Sequence, residues 1–161
     1  MQIARAFGAE VTAVCSTRNL ETARSIGADH VIDYTKEDFT QNGRQYDLIL
    51  AANGYHPLSA YSRALTPQGI YVFTGGLPAQ TFQSLFLGPL MSKRDGRKMT
   101  SVMKRANQRD LLFIRDLLED RKIRAVIDEC YPLSKTAEAF RYFEKGHARG
   151  KVVITISEQE K

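Results

Sequence analysis

Three observations predict an α/β chain in which helices cover a parallel sheet. Short β-branched runs alternate with helical patterns. The run DLILAA at 47–52 is apolar almost throughout, as a central strand buried on both faces requires. The chain has 161 residues, 43% of them hydrophobic and 25% charged, which suits one packed body rather than a disordered or fibrous polymer.

Taken in order, MQIARAFG places Ile3 and Phe7 four apart and ends in glycine, as the last two turns of a helix do. A first strand follows at 11–15, and a helix at 20–26 aligns Leu20, Ala23 and Ile26 on one face before Gly27 stops it. Strands are expected at 30–33 and 47–52, a short helix at 59–65, and a turn at Pro67 and Gly69 that leads into a strand at 70–74. Residues 81–91 are apolar but interrupted by Gly88 and Pro89, which favours an edge strand. The helix expected at 108–121 buries Leu111, Ile114, Leu117 and Leu118. A strand at 125–131 precedes a helix that Ser134 can cap and that runs to Lys145, with Ala137, Phe140 and Phe143 inward and Gly146 as its stop. Residues 152–156 close the series as a strand. No repeat or low-complexity linker divides it.

The net charge of +5 is local. Lys93, Arg94, Arg97, Lys98, Lys104, Arg105 and Arg109 set seven cations against the single acid Asp95, and the rest of the chain has 16 cations against 17 acids. Nucleic-acid readers pair such a stretch with stacking aromatics, and this one has none, so a solvated or subunit-facing surface is the preferred reading. No apolar run approaches the roughly 18 residues that cross a bilayer. The opening MQIARAFGAEV lacks the basic and apolar regions of a signal peptide, so a cytoplasmic protein without a membrane partner is expected. Cys15 and Cys130 show no disulfide or zinc spacing, and His30, His56 and His147 show no carboxylate at a telling spacing. No catalytic residue and no metal ligand is assigned.

GAEVTAVCSTRN, SIGADHVIDYTKEDF, YDLILAANG, GIYVFTGG and GHARGKVVITI occur in that order. Together they resemble the C-terminal portion of the medium-chain dehydrogenase/reductase superfamily, and most of all its zinc-independent, quinone-oxidoreductase-like branch. The resemblance implies a Rossmann-like parallel sheet over residues 1–161, with the family's C-terminal segment at about 122–161. In that family a catalytic domain, a first strand and a glycine-rich phosphate loop precede the point matched by Met1. No GxGxxG occurs in the chain, so an N-terminally truncated Rossmann domain is expected.

Where a Rossmann domain that selects NAD carries an acid, this chain has Cys15, Ser16, Thr17 and Arg18. Hydroxyls and a guanidinium donate to a 2′-phosphate, which favours NADPH. The bland alternative for the hydroxyls is a helix cap before Leu20, and one hydroxyl could serve both purposes. The resemblance adds Tyr34 to the phosphate contacts. It adds Asn53, Gly54, Gly75, Gly76 and Leu77 to the nicotinamide contacts, although AANGY departs from the family's DTVGG and the glycines also suit plain turns. It implies hydride transfer from NADPH to an activated C=C or quinone in a full-length enzyme that takes a small-molecule substrate. The alternative is a non-catalytic remnant or fragment that folds and self-associates without competent cofactor binding. A homodimer or larger assembly is expected from exposed strand edges at 81–91, 125–131 and 152–156.

Overall fold

The computed structural model describes residues 1–52, 56–74, 96–102, 107–146 and 148–156. Two compact units emerge, one from Met1–Asp33 with Asn107–Lys161 and the other from Tyr34–Ala106. Among the described residues all strands pair in parallel, in three separate sheets. The α/β class is therefore as expected.

The first unit begins with helix α1 (Gln2–Ala6), which passes through Gly8 into strand β1 (Thr12–Cys15). The Phe7 ring stacks on Phe113 with centroids 6.1 Å apart. A 3₁₀ turn (Thr17–Asn19) leads into helix α2 (Leu20–Ser25), whose Ala23 is buried. Gly27 then turns the chain at φ +98, a conformation a Cβ disfavours, into strand β2 (His30–Asp33). β1 pairs with β2 from Thr12 opposite His30 to Cys15 opposite Asp33.

Within the same unit, Asn107 caps the long helix by accepting the Asp110 amide at 2.9 Å. After that helix, here α4 (Gln108–Glu119; α3 lies in the second unit), come strand β6 (Ile127–Pro132), helix α5 (Thr136–Glu144) and strand β7 (Lys151–Thr155), which pairs with β6. Gly150 makes that pairing possible, because a Cβ there would lie 2.4 Å from the Val126 carbonyl oxygen.

The second unit holds strand β3 (Tyr46–Ala51), helix α3 (Leu58–Ala64), strand β4 (Leu65–Phe73) and strand β5 (Lys98–Ser101), in the order β3-β4-β5. The turn expected at Pro67 and Gly69 is absorbed into β4 as a register shift between Tyr46 and Leu48 of β3. Leu65, Tyr61, Tyr71, Phe73 and Met99 form its core. β5 lies in the basic stretch and carries no apolar run, so periodicity does not reveal it.

Four expectations need correction. β3 is buried on one face only: Ile49 and Ala51 are buried, whereas Leu48 and Leu50 are 57% and 60% exposed. On α4 only Leu117 is buried, with Leu111 and Leu118 exposed. Ser134 does not cap α5; Lys135 holds the cap position without a side-chain bond, and the Thr136 hydroxyl donates to Leu133 O at 2.6 Å. The buried face of α5 runs through Ala139 rather than Ala137, Phe140 and Phe143, because Tyr142 turns inward to donate from its hydroxyl to Asp128 Oδ2 at 2.6 Å. The edge strand expected at 81–91 lies outside the described residues.

Candidate cofactor-binding site

In a parallel pair both strands finish at the same end, and open α/β sheets bind ligands there. In the first unit that end carries Cys15 and Asp33, which stand opposite one another. Ser16 continues the extended backbone past β1, and the next three residues close the 3₁₀ turn, with Asn19 N–H donating to Ser16 O at 2.8 Å. Neither the turn nor α2 has a side-chain cap bond, so the capping role that Ser16 and Thr17 suited is not taken up. Ser16 Oγ instead accepts from Asn19 Nδ2 at 3.4 Å.

Thr17 and Arg18 are exposed. The Thr17 hydroxyl donates to Asp33 Oδ2 at 2.5 Å, which places a carboxylate beside a segment whose sequence shows none nearby. Sequence reasoning missed this contact, although the offset of 18 positions between β1 and β2 encodes it. A hydroxyl has one proton, so the bond to Asp33 takes up the Thr17 donor. Burial raises the Cys15 thiol above its ordinary pKa, the Asp33 charge adds to the effect, and Arg24 opposes it.

In the second unit Tyr34 is exposed. β3 and β4 end side by side, with Ala51 opposite Phe73 and Thr74 N–H donating to Ala51 O at 3.1 Å. Asn53, Gly54, Gly75, Gly76 and Leu77, which follow these ends, lie outside the described residues. Two histidines have carboxylate partners that spacing did not suggest: His30 Nε2 lies 2.6 Å from Glu10, and His56 Nε2 lies 3.6 Å from Asp38. The His56 ring also meets Phe39 and Tyr61 edge-on, which marks it as a packed residue. His147 lies outside the described residues. Arg97, expected to be solvated, donates from Nε to the carbonyls of Leu65 and Thr66 at 3.2 and 3.3 Å.

Residues 26–154 match the family model of the zinc-binding dehydrogenases. The chain belongs to that family. It is 31% identical over 159 residues to a chloroplast envelope quinone oxidoreductase homolog of Arabidopsis thaliana, with 96% of this chain and 47% of the relative covered. It is 33% identical over 174 residues to the mitochondrial NAD(P)H oxidoreductase RTN4IP1 of Mus musculus, with 97% and 44% covered. Among solved structures it is similar to the quinone oxidoreductase from Coxiella burnetii, at 25% identity and a TM-score of 0.74, with 97% of this chain and 48% of that one covered. The chain thus spans about half the length of these relatives and carries a Rossmann-type domain homologous to theirs.

The family's name implies zinc, yet among the described residues no three His, Cys, Asp or Glu side chains converge as a metal site needs. The donors among the described residues do not fit that ion. Among the described residues no helix is long and apolar enough to cross a membrane.

Proposed function

We propose that the chain is the NADPH-binding portion of a quinone- or enone-reducing oxidoreductase. The observation that carries this reading is the exposed Arg18 at the carboxyl end of β1, on the turn after Ser16 and Thr17. A guanidinium there offers a fork of donors to a 2′-phosphate, which NADH lacks. Ser16 can add a hydroxyl donor, and by family resemblance Tyr34 holds the same phosphate. Asn53, Gly54, Gly75, Gly76 and Leu77 line the nicotinamide in the same reading. The bound nicotinamide supplies hydride to an activated C=C or quinone of a small-molecule substrate, and the protein orients it. No residue of this chain is assigned a catalytic role.

Calorimetric titration tests the reading. NADPH should bind more tightly than NADH, and Arg18→Ala should weaken NADPH binding about tenfold while leaving NADH within about twofold. Equal losses for both cofactors would remove Arg18 from phosphate recognition. Absence of NADPH binding at millimolar concentration would favour a second reading, a non-catalytic chain that self-associates. That second reading draws on the exposure of Phe140 and Phe143 along α5, at 63% and 61%, and of Leu48 and Leu50 on β3. It calls for a homodimer or larger assembly in light scattering, and a clean 18.2 kDa mass at micromolar concentration would count against it.

A further inference from the structure

We propose that the first unit binds a small phosphate-bearing anion in a cleft at the amino ends of β1 and β2, the end opposite Ser16, Thr17 and Arg18. The amides of Asp29 and His30 both donate to Val11 O, at 2.9 and 3.1 Å, so the turn after α2 abuts the start of β1. The cleft is open to solvent and has a volume of about 360 Å³, and its walls come from α1, from that turn and from the turn after α4.

These walls are bonded to one another across long sequence distances. Gln2 Nε2 donates to Arg124 O at 2.9 Å, and the Arg124 amide returns a bond to Gln2 Oε1 at 2.8 Å. The Arg124 guanidinium donates to Ser25 O at 2.9 Å. Gly27 leaves room for Arg5 along the cleft, since a Cβ there would lie 2.8 Å from Arg5 Cδ.

Arg5, Arg121, Lys122 and Arg124 bring four cations to this concavity. Arg5 is paired with Asp29, and Lys122 Nζ lies 3.0 Å from Asp120. The Arg124 guanidinium bonds to neutral Ser25, and the Arg121 side chain makes no hydrogen bond or ion pair among the described residues. Two positive charges thus face one cleft without carboxylate partners. Arg121 is also held at φ +56, in the left-handed region that a side chain disfavours.

Two uncompensated guanidinium groups suit a dianion, and their planar forks suit phosphate oxygens more closely than a spherical ion. A cleft near the small end of ligand pockets, which run from about 300 to 1,000 Å³, suits a small phosphate ester rather than a polymer. The site lies at the other end of β1 and β2 from Ser16, Thr17 and Arg18 and does not depend on the cofactor reading.

Calorimetry of the whole chain with inorganic pyrophosphate at low ionic strength tests it, with citrate at matched ionic strength as the carboxylate comparison. Saturable binding at millimolar or lower concentration is expected for pyrophosphate. It should weaken about tenfold in Arg121→Asn with Arg124→Gln, the two guanidiniums without carboxylate partners, and less in Arg18→Ala. Asparagine tolerates the left-handed backbone, which protects the fold of that variant. Pyrophosphate should also shift the Ser25 and Gly27 amide resonances of the parent chain, a readout that needs no substitution. No saturable binding, citrate bound as tightly as pyrophosphate, shifts that avoid Ser25 and Gly27, or a loss in Arg18→Ala equal to that in the double variant would each overturn the proposal.

Discussion

In the Tyr34–Ala106 unit the large buried side chains include Leu65, Tyr61, Tyr71, Phe73 and Met99, whereas in the other unit Val11, Ala13, Ala23, Ile32, Leu117 and Ala139 are buried. The former set contains three aromatics, and Tyr61 and Tyr71 pack with ring centroids 4.7 Å apart. The latter contains three alanines and is supplemented by polar ties: Arg5 to Asp29, Gln2 to Arg124, Thr17 to Asp33 and Tyr142 to Asp128. Burial of apolar area is roughly proportional to stabilisation, whereas exposed ion pairs contribute little each. The second unit should therefore respond most to changes of volume, and the first to changes of backbone fit and charge. Both the candidate cofactor residues Ser16, Thr17 and Arg18 and the basic cleft belong to the unit with the smaller buried side chains.

The largest expected effect is at Leu65, the one large side chain fully buried among the described residues. Leu65→Ala should cost about 3 kcal/mol in urea unfolding, because the lost transfer energy is joined by a cavity. Leu111→Ala on the exposed side of α4 should change stability by less than about 0.5 kcal/mol. Similar costs at the two positions would break the comparison.

Next comes Gly150→Ala, which tests the backbone fit of the first unit. The new methyl would meet the Val126 carbonyl at 2.4 Å, and that oxygen also accepts the Lys151 amide at 2.7 Å. The strand must shift, so a loss of about 1–3 kcal/mol is expected. Hydrogen exchange should show the loss first in the β6–β7 amides.

The order of elements and their parallel pairing follow from hydrophobic runs and glycine stops, as at Ile32 in β2, Ala23 in α2 and Gly27. Faces are less legible. Ala137, Phe140 and Phe143 are spaced as well as any buried stripe, yet α5 buries Ala139 and leaves Phe140 and Phe143 exposed, with Tyr142 bonded to Asp128, 14 positions away. β5 hides in KMTS because its neighbour β4 supplies the pairing that its own composition does not signal. Of the cofactor site, the residue types at 16–18 are readable, but the carboxylate beside Thr17 appears only once β1 and β2 are set in register.

A third prediction uses the aromatic core. Burial pushes the Tyr71 phenol up to about 12 from an ordinary 10.0, and Tyr61 adds to the shift. The folded state thus favours the neutral phenol. The stability this contributes is fully present below pH 10 and is lost as pH rises towards about 12. An absorbance titration should show a phenol ionising near pH 12, and Tyr71→Phe should remove that step and flatten the alkaline fall in stability. An unchanged titration would mean that Tyr71 is not the shielded phenol.

The smallest effect belongs to Asp29, at the surface of the first unit. Its carboxyl lies below the ordinary 3.8 because the Val11 amide and then the Arg5 guanidinium bond to the charged form, against an opposing effect of burial. A lowered folded-state pKa means that the unfolded chain binds a proton first as pH falls. The contribution is therefore present above pH 3.8 and disappears as pH drops through the folded value. Asp29→Asn should melt slightly below the parent chain at neutral pH, and the two curves should converge in acid. Because both partners are partly exposed, added salt should narrow the neutral-pH gap as well. A gap that persists in acid and in salt would show that Asp29 acts through the geometry of its bond to Val11 rather than through its charge, and the contrast between a charge-tied unit and an apolar one would lose its clearest local example.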